Sequence, residues 1–294
     1  MSERLVVLVK GAGDLATGCA IRLHRCGFAV VMTELPEPTA VRRTVAFSEA
    51  AVDAMAVVEG VRCRRAESVE DARRIVRAGD VALVVDREGA AVAALTPEAV
   101  VDARMAKRNL GTTLAEAPIV IGLGPGFLAG KNVHAVVETN RGHDLGSVIL
   151  DGHAEPNTGV PGEIGGYDVE RLLRAPTSGI LRARRRIGDR VEAMEVVAEV
   201  GDAPVQAKIA GIVRGLLRDG RVVHEGQKVG DIDPRARREH CFTVSDKARA
   251  VAGGVLEAIL YLSNTRNPAP ARARLPTTTR SSRGAPASRS RNAR

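Results

Sequence analysis

Gly179-Ile180-Leu181-Arg182 and Gly211-Ile212-Val213-Arg214 are one phrase written twice, 32 residues apart. The same shift lays Gly188 on Gly220, Val197 on Val229 and Val200 on Ile232, so residues 175–233 hold two paired half-units. Each half reads as short β-branched strands punctuated by Gly and Gly-Asp turns. Neither half is large enough to bury a core of its own, which predicts that the two interleave into one small β-barrel.

Through Ala175-Pro176 with Gly179, and through Ile187-Gly188-Asp189-Arg190-Val191, this segment resembles the flattened barrel of biotinyl and lipoyl carrier domains. That fold presents a modifiable lysine on the hairpin between its halves. Here the hairpin reads Gly201-Asp202-Ala203-Pro204-Val205-Gln206, so neither biotin nor lipoate is expected. A rigid docking or handling module remains, or a plain scaffold, since a fold does not dictate its use.

Working outward to the N-terminus, Leu5 to Val9 is a continuous apolar run of the kind that forms a parallel strand covered on both faces. It leads into Lys10-Gly11-Ala12-Gly13-Asp14-Leu15-Ala16-Thr17-Gly18, a helical pattern, and a second strand from Phe28 to Thr33 that ends at Glu34. Strand, Gly-x-Gly-x-x-Ala turn, helix, strand and terminal acid follow the dinucleotide-binding pattern. Lys10, Gly11, Gly13, Asp14 and Glu34 are therefore candidate ligand-binding residues. Gly13 would let a phosphate approach the backbone, Glu34 lies where a ribose-binding carboxylate belongs, and Lys10 would offset the charge of Asp14. The competing reading is a tight turn with Asp14 as helix cap.

Further strands are expected at 81–85 and 117–121, and helices at 69–77 and 97–108. Such alternation predicts an α/β sheet. Gly122, Gly124 and Gly126 form a second tight loop at a strand end, which could face the same crevice. The expected fold class is thus α/β, with a Rossmann-like N-terminal domain over 1–165. A biotinyl/lipoyl-like barrel-sandwich domain with a terminal helix follows over 166–263, and a disordered Arg-rich tail over 264–294.

Composition limits what this fold can do. With no Trp, four Phe and two Tyr in 294 residues, the cores must be built of Ala, Val, Leu and Ile. Stacking platforms for nucleic-acid bases are then hard to assemble. The net charge of +8 sits at the C-terminus: residues 258–294 carry eight Arg and no acid, leaving 35 basic against 35 acidic residues elsewhere. No run of about 18 apolar residues and no cleavable leader pattern is visible, so a cytoplasmic protein without membrane partners is expected. His143, Asp144, Asp151 and His153 match no familiar metal-site spacing and read as solvated loop residues. Of four cysteines, Cys19, Cys26 and Cys63 read as buried. Cys241, between His240 and Lys247, is the candidate catalytic thiol: neighbouring cations would stabilise a thiolate, the form that carries sulfur or another chalcogen or ligates a soft metal.

Several long strings stand in a fixed order along the chain. They are Lys10 to Gly18, Val41-Arg-Arg-Thr-Val45, Ala103 to Thr113, Ile121 to Gly126, Glu138 to Gly146, Pro161 to Tyr167, Gly230 to Arg235, Ser245 to Arg249 and Gly253 to Glu257. In these the chain resembles the selenium-dependent molybdenum hydroxylase accessory proteins, the YqeB family, over nearly everything up to Leu262. The resemblance implies a role in maturing a hydroxylase of the xanthine dehydrogenase type, with the hydroxylase and selenium-insertion proteins as partners. Molybdenum cofactor or a nucleotide would occupy the Gly-rich crevice. It supplies no catalytic residue. Two other classes stay open: a nicotinamide-dependent oxidoreductase using Gly11, Gly13 and Glu34, and a non-catalytic scaffold.

Overall fold

The computed structural model describes residues 4–160 and 162–266. Pro161 and the segment from 267 onward, where most of the expected disordered tail falls, lie outside the described residues. Asn264, Thr265 and Arg266, grouped with that tail above, extend the last helix.

The N-terminal part runs β1 (Val6–Lys10), α1 (Asp14–Arg25), β2 (Ala29–Glu34), a short α2 (Ala50–Asp53), β3 (Met55–Val58), β4 (Val61–Ala66), α3 (Val69–Arg77), β5 (Val81–Val85), α4 (Ala91–Leu95), β6 (Ala99–Asp102), β7 (Ile119–Leu123), β8 (Ala135–Val137) and β9 (Val148–Ile149). These strands make one nine-stranded sheet in the order β3-β4-β5-β2-β1-β6-β7-β8-β9. Pairing is parallel from β4 to β8 and antiparallel at both edges, β3 on β4 and β8 on β9.

Both faces are covered, which is why β1 has no polar alternation: Val7 and Val9 enter one core and Leu8 the other. α3 and α4 cover the Leu8 face. α3 is well punctuated, with the Ser68 hydroxyl accepting from Asp71 N–H at 3.2 Å, acids in its first turn and arginines in its last. The opposite face is covered by α1 together with α5 (Asp246–Arg266), a helix from the far end of the chain. α5 contributes Ala248, Val251, Ala252, Val255, Ala258 and Ile259, and these small residues let two helices approach closely. A Cβ at Gly18 would sit 2.9 Å from that of Ala248, so the glycine is required by the crossing itself.

The remaining strands are β10 (Leu172–Arg174), β11 (Gly179–Ala183), β12 (Arg190–Val191), β13 (Val196–Val200), β14 (Ala203–Gln206), β15 (Gly211–Leu216), β16 (Val222–Val223) and β17 (Lys228–Asp233). They form two four-stranded antiparallel sheets, β10-β17-β15-β12 and β14-β13-β11-β16. A shift of about 32 residues exchanges the two sheets strand for strand, and each sheet takes strands from both halves of the repeat. Neither half closes a core alone; Leu181, Val197 and Val200 pack with Val213, Val229 and Ile232 in one cluster.

The expected fold class is corrected here. In place of a Rossmann-like domain the chain builds a mixed nine-stranded sheet with antiparallel edges, and no α-helix joins β6 to β7 or β7 to β8. In place of a biotinyl/lipoyl-like barrel-sandwich it builds two antiparallel sheets. The helix expected at 97–108 is instead β6 and an irregular loop. Ala99-Val100-Val101 is a short apolar run, closed by Asp102 and buried between β1 and β7, and such a run has no period to distinguish strand from helix. α5, attached above to the second unit, belongs to the core of the first sheet. No helix among the described residues is long and apolar enough to cross a membrane.

Candidate functional site

Four neighbouring parallel strands, β5, β2, β1 and β6, end side by side, and the chain leaves each of them in a loop. The loops enclose a crevice of about 790 Å³, lined by Gly13, Asp14, Glu34, Arg42, Asp86 and Arg104 among others. C-terminal strand ends are where open α/β sheets collect ligands, because the backbone must splay there to enter its crossovers. Gly13 is the N-cap of α1 and no side chain accepts from the first-turn amides, so the positive end of the helix opens onto this space. A Cβ at Gly13 would meet nothing within 4 Å, the mark of a backbone bordering a cavity.

The neighbouring residues serve the turn itself. Gly11 has φ +88°, and a Cβ there would lie 3.2 Å from the Arg104 Cα, so glycine is favoured on both counts. Glu34 accepts from Ala12 N–H at 3.0 Å and Leu35 N–H at 2.8 Å, tying the end of β2 to the Gly-rich turn. Burial pushes its carboxyl above the usual range, although both amides favour the charged form. Lys10 is not available to an anion. Its Nζ donates to Thr112 Oγ1 at 2.9 Å and to both oxygens of Glu116 at 2.7 and 2.6 Å. The hydroxyl of Thr112 donates in turn to Asp102, which also pairs with Arg104. Asp14 does not cap the helix; it lies in the first turn and pairs with Arg42 Nη1 at 3.1 Å, which removes the repulsion expected against an anionic ligand.

Gly122, Gly124 and Gly126 do not reach the crevice. A side chain at each would run into Phe127, Thr139 and the Arg108 backbone respectively, so this loop is tight for packing reasons. Cys241 also departs from expectation. It is wholly buried with its Sγ 3.7 Å from the Val213 carbonyl, and burial pushes its thiol up despite Arg214 and Arg42 nearby. A thiolate is disfavoured there, and Cys26 is the exposed cysteine instead. His143, Asp144, Asp151 and His153 are exposed, and among the described residues no three His, Cys, Asp or Glu side chains come together as a metal site would need.

A second cavity of about 230 Å³ adjoins the first, with Asp14, Leu15, Arg42 and Lys228 lining both. Its other walls bring Arg141, Arg171, Arg214 and Lys247 together from four separate stretches. Sequence reading singled out none of the three arginines, and took Lys247 only as a neighbour of Cys241. In a chain with 43 basic residues no single arginine stands out, and only the meeting of β15 and β17 with the starts of α1 and α5 gathers them.

One relative decides the family. Over 261 residues the chain is 49% identical to the "Uncharacterized protein YqeB" of Escherichia coli (strain K12), a match that takes in 89% of this chain. The chain belongs to the YqeB family. It spans about half, 48%, of the length of that curated relative. No protein-family model matches the chain. Among solved structures, this YqeB-family chain aligns with an aspartoacylase family protein from Mesorhizobium loti at 14% identity and a TM-score of 0.26, covering 80% of this chain and 87% of that one. It also aligns with a succinylglutamate desuccinylase from Silicibacter at 13% identity and a TM-score of 0.23, covering 79% and 85%. At those scores neither likeness carries anything about chemistry to the YqeB fold.

Proposed function

We propose that this protein is an accessory factor in the maturation of a selenium-dependent molybdenum hydroxylase of the xanthine dehydrogenase type, and that it holds molybdenum cofactor or a nucleotide in the crevice above β1, β2, β5 and β6. The observation that carries the reading is the open N-terminus of α1 at Gly13, facing a crevice of about 790 Å³. The residues fit a phosphate-bearing ligand. The helix end offers amide donors, and Arg42 has a buried Nε with no hydrogen-bond partner. Asp14, paired with Arg42, orients that guanidinium along the crevice wall. Once handed over, the cofactor would supply the hydroxylase's redox chemistry; this chain's part is to bind, orient and shield it.

The nicotinamide reading comes second because Glu34, its ribose ligand, already accepts two backbone N–H groups. Protein purified from a host replete in molybdenum and selenium, analysed by pterin mass spectrometry and elemental analysis, tests the proposal. Retention of a pterin phosphate that is lost in Gly13→Val supports it. A wild-type protein that retains neither pterin nor nucleotide, and does not bind ADP in solution, overturns it. Quenching of NADH fluorescence by the wild type would promote the second reading.

A further inference from the structure

We infer that the second cavity is a binding site for phosphate oxyanions, sized for a diphosphate, into which a ligand lying in the crevice can extend its charged end. The inference extends the reading above and rests on it only for the organic part of the ligand.

The argument begins with charge. Six cations, Arg42, Arg141, Arg171, Arg214, Lys228 and Lys247, line a space of about 230 Å³, and Asp14 is the one carboxylate among the lining residues. Arg171 and Arg214 are buried, Arg42, Arg141 and Lys247 are partly covered and Lys228 is exposed, so like charges repel most strongly around the two buried guanidinium groups and cost stability unless something answers them. The protein's own carboxylates answer half. Asp14 pairs with Arg42 at 3.1 Å, Asp246 with Arg141 at 2.8 Å and Asp233 with Arg214 at 3.3 Å. Among the described residues, Arg171, Lys228 and Lys247 have no carboxylate oxygen within 4.0 Å.

Arg171 is the most telling of these, being only 5% exposed. It spends Nε on the Tyr167 carbonyl at 3.3 Å and Nη2 on the Gly162 carbonyl at 2.9 Å, contacts that hold the guanidinium in place without neutralising it. The Nε atoms of Arg42 and Arg214 are buried and have no partner at all. Burial first, and neighbouring cations next, push the Lys247 ammonium and the Arg214 guanidinium below their ordinary values. Buried carboxylates lie nearby in Asp231 and Asp233, but Asp233 is also engaged by Arg235 at 2.6 Å. A preorganised fork of guanidinium groups beside a helix N-terminus suits the tetrahedral oxyanions of phosphate, which accept several charge-assisted bonds at once.

Position supplies the second line. Asp14 and Leu15, in the first turn of α1, line both cavities, so the same helix end serves each. A ligand with an aromatic or sugar body in the crevice and a diphosphate beyond Arg42 would use the two spaces together.

The test is calorimetry on the full chain with inorganic pyrophosphate, and separately with ADP. Pyrophosphate should bind the wild type, raise its melting temperature, and lose affinity as salt is added. Arg171→Gln and Lys247→Met should each weaken it about tenfold or more, the worth of one charge-assisted hydrogen bond. Lys228→Ala, at an exposed position, provides the same comparison if Arg171→Gln fails to fold. Gly13 lines the crevice and not the second cavity, so Gly13→Val should abolish ADP binding and weaken pyrophosphate less than Arg171→Gln or Lys247→Met does. If pyrophosphate binds and ADP does not, this anion site stands and the crevice reading falls. If pyrophosphate fails to bind, or binds equally to wild type, Lys247→Met and Lys228→Ala, the site assigned here is wrong.

Discussion

Lys10 Nζ lies 2.6 Å from Glu116 Oε2 and its side chain is almost fully covered, so the cation at the end of β1 belongs to the scaffold of the crevice and not to its ligand. Lys10→Met would leave Glu116 unpaired in a partly buried place, at a cost of about 2 kcal/mol. Urea unfolding of Lys10→Met, Glu116→Gln and the double variant should show strong coupling between the two sites. Pyrophosphate affinity should not move in Lys10→Met. A drop as large as that in Lys247→Met would return Lys10 to the ligand.

The two glycines of the turn should separate folding from binding. Gly11 holds φ +88° against the Arg104 backbone, so Gly11→Ala should destabilise the protein by about 1–3 kcal/mol. Gly13 has φ −66° and open space where a side chain would go, so Gly13→Val should fold with a melting temperature close to wild type. Its effect should fall chiefly on ligands of the crevice. Comparable destabilisation in both variants would mean that Gly13 is a packing residue.

How much of this was legible in the sequence follows from how local each signal is. β5 and α3 lie where the sequence placed them, since Val81 to Val85 is an unbroken apolar run and Ser68 caps a strongly amphipathic helix. The 32-residue repeat was legible because each half carries its own strands and turns. β6 was not: three apolar residues closed by Asp102 carry no period. Nor could the sequence show that α5 returns to cover β1, because its Ala-rich stripe would suit any close helix contact. The basic cavity was hidden most deeply. Its cations run from Arg42 to Lys247 and meet only in the finished fold, whereas Lys10, next to the Gly-rich turn, drew attention and turned out to be paired. The glycines at 122, 124 and 126 misled for a related reason, since close packing and ligand approach favour the same residue.

Cysteine reactivity checks the placement of all four thiols. Cys26 is exposed, and Cys19, Cys63 and Cys241 are buried. Burial pushes the Cys19 thiol up to about 12 and raises those of Cys63 and Cys241 as well. Iodoacetamide at pH 8 should therefore label one cysteine per native chain, found by peptide mapping at Cys26, and four after denaturation. Rapid native labelling of Cys241 would restore it as a candidate for chalcogen transfer.

Acid should reveal the network beneath the crevice. Burial by itself would raise the Asp102 carboxyl, but hydrogen bonds from Arg104 and from the Thr112 hydroxyl outweigh it and hold the group below the usual carboxylate range. The folded protein thus binds a proton at Asp102 less readily than the unfolded chain, whose aspartates titrate near about 3.9. The stabilising contribution is complete above that value and is lost as pH falls through the lower, folded one. Asp233 and Asp246 are held low in the same way, so the wild type loses stability on the acid side through several groups at once. The informative quantity is the difference between wild type and Asp102→Asn in unfolding free energy, measured in urea from pH 3 to 7. Asp102→Asn should be less stable at pH 7, because Arg104 loses its buried partner, and the gap should narrow as pH drops below about 4. A gap that stays constant across this range would mean that Asp102 binds its proton alike in the folded and unfolded chains, so that Arg104 and Thr112 do not hold its carboxyl low.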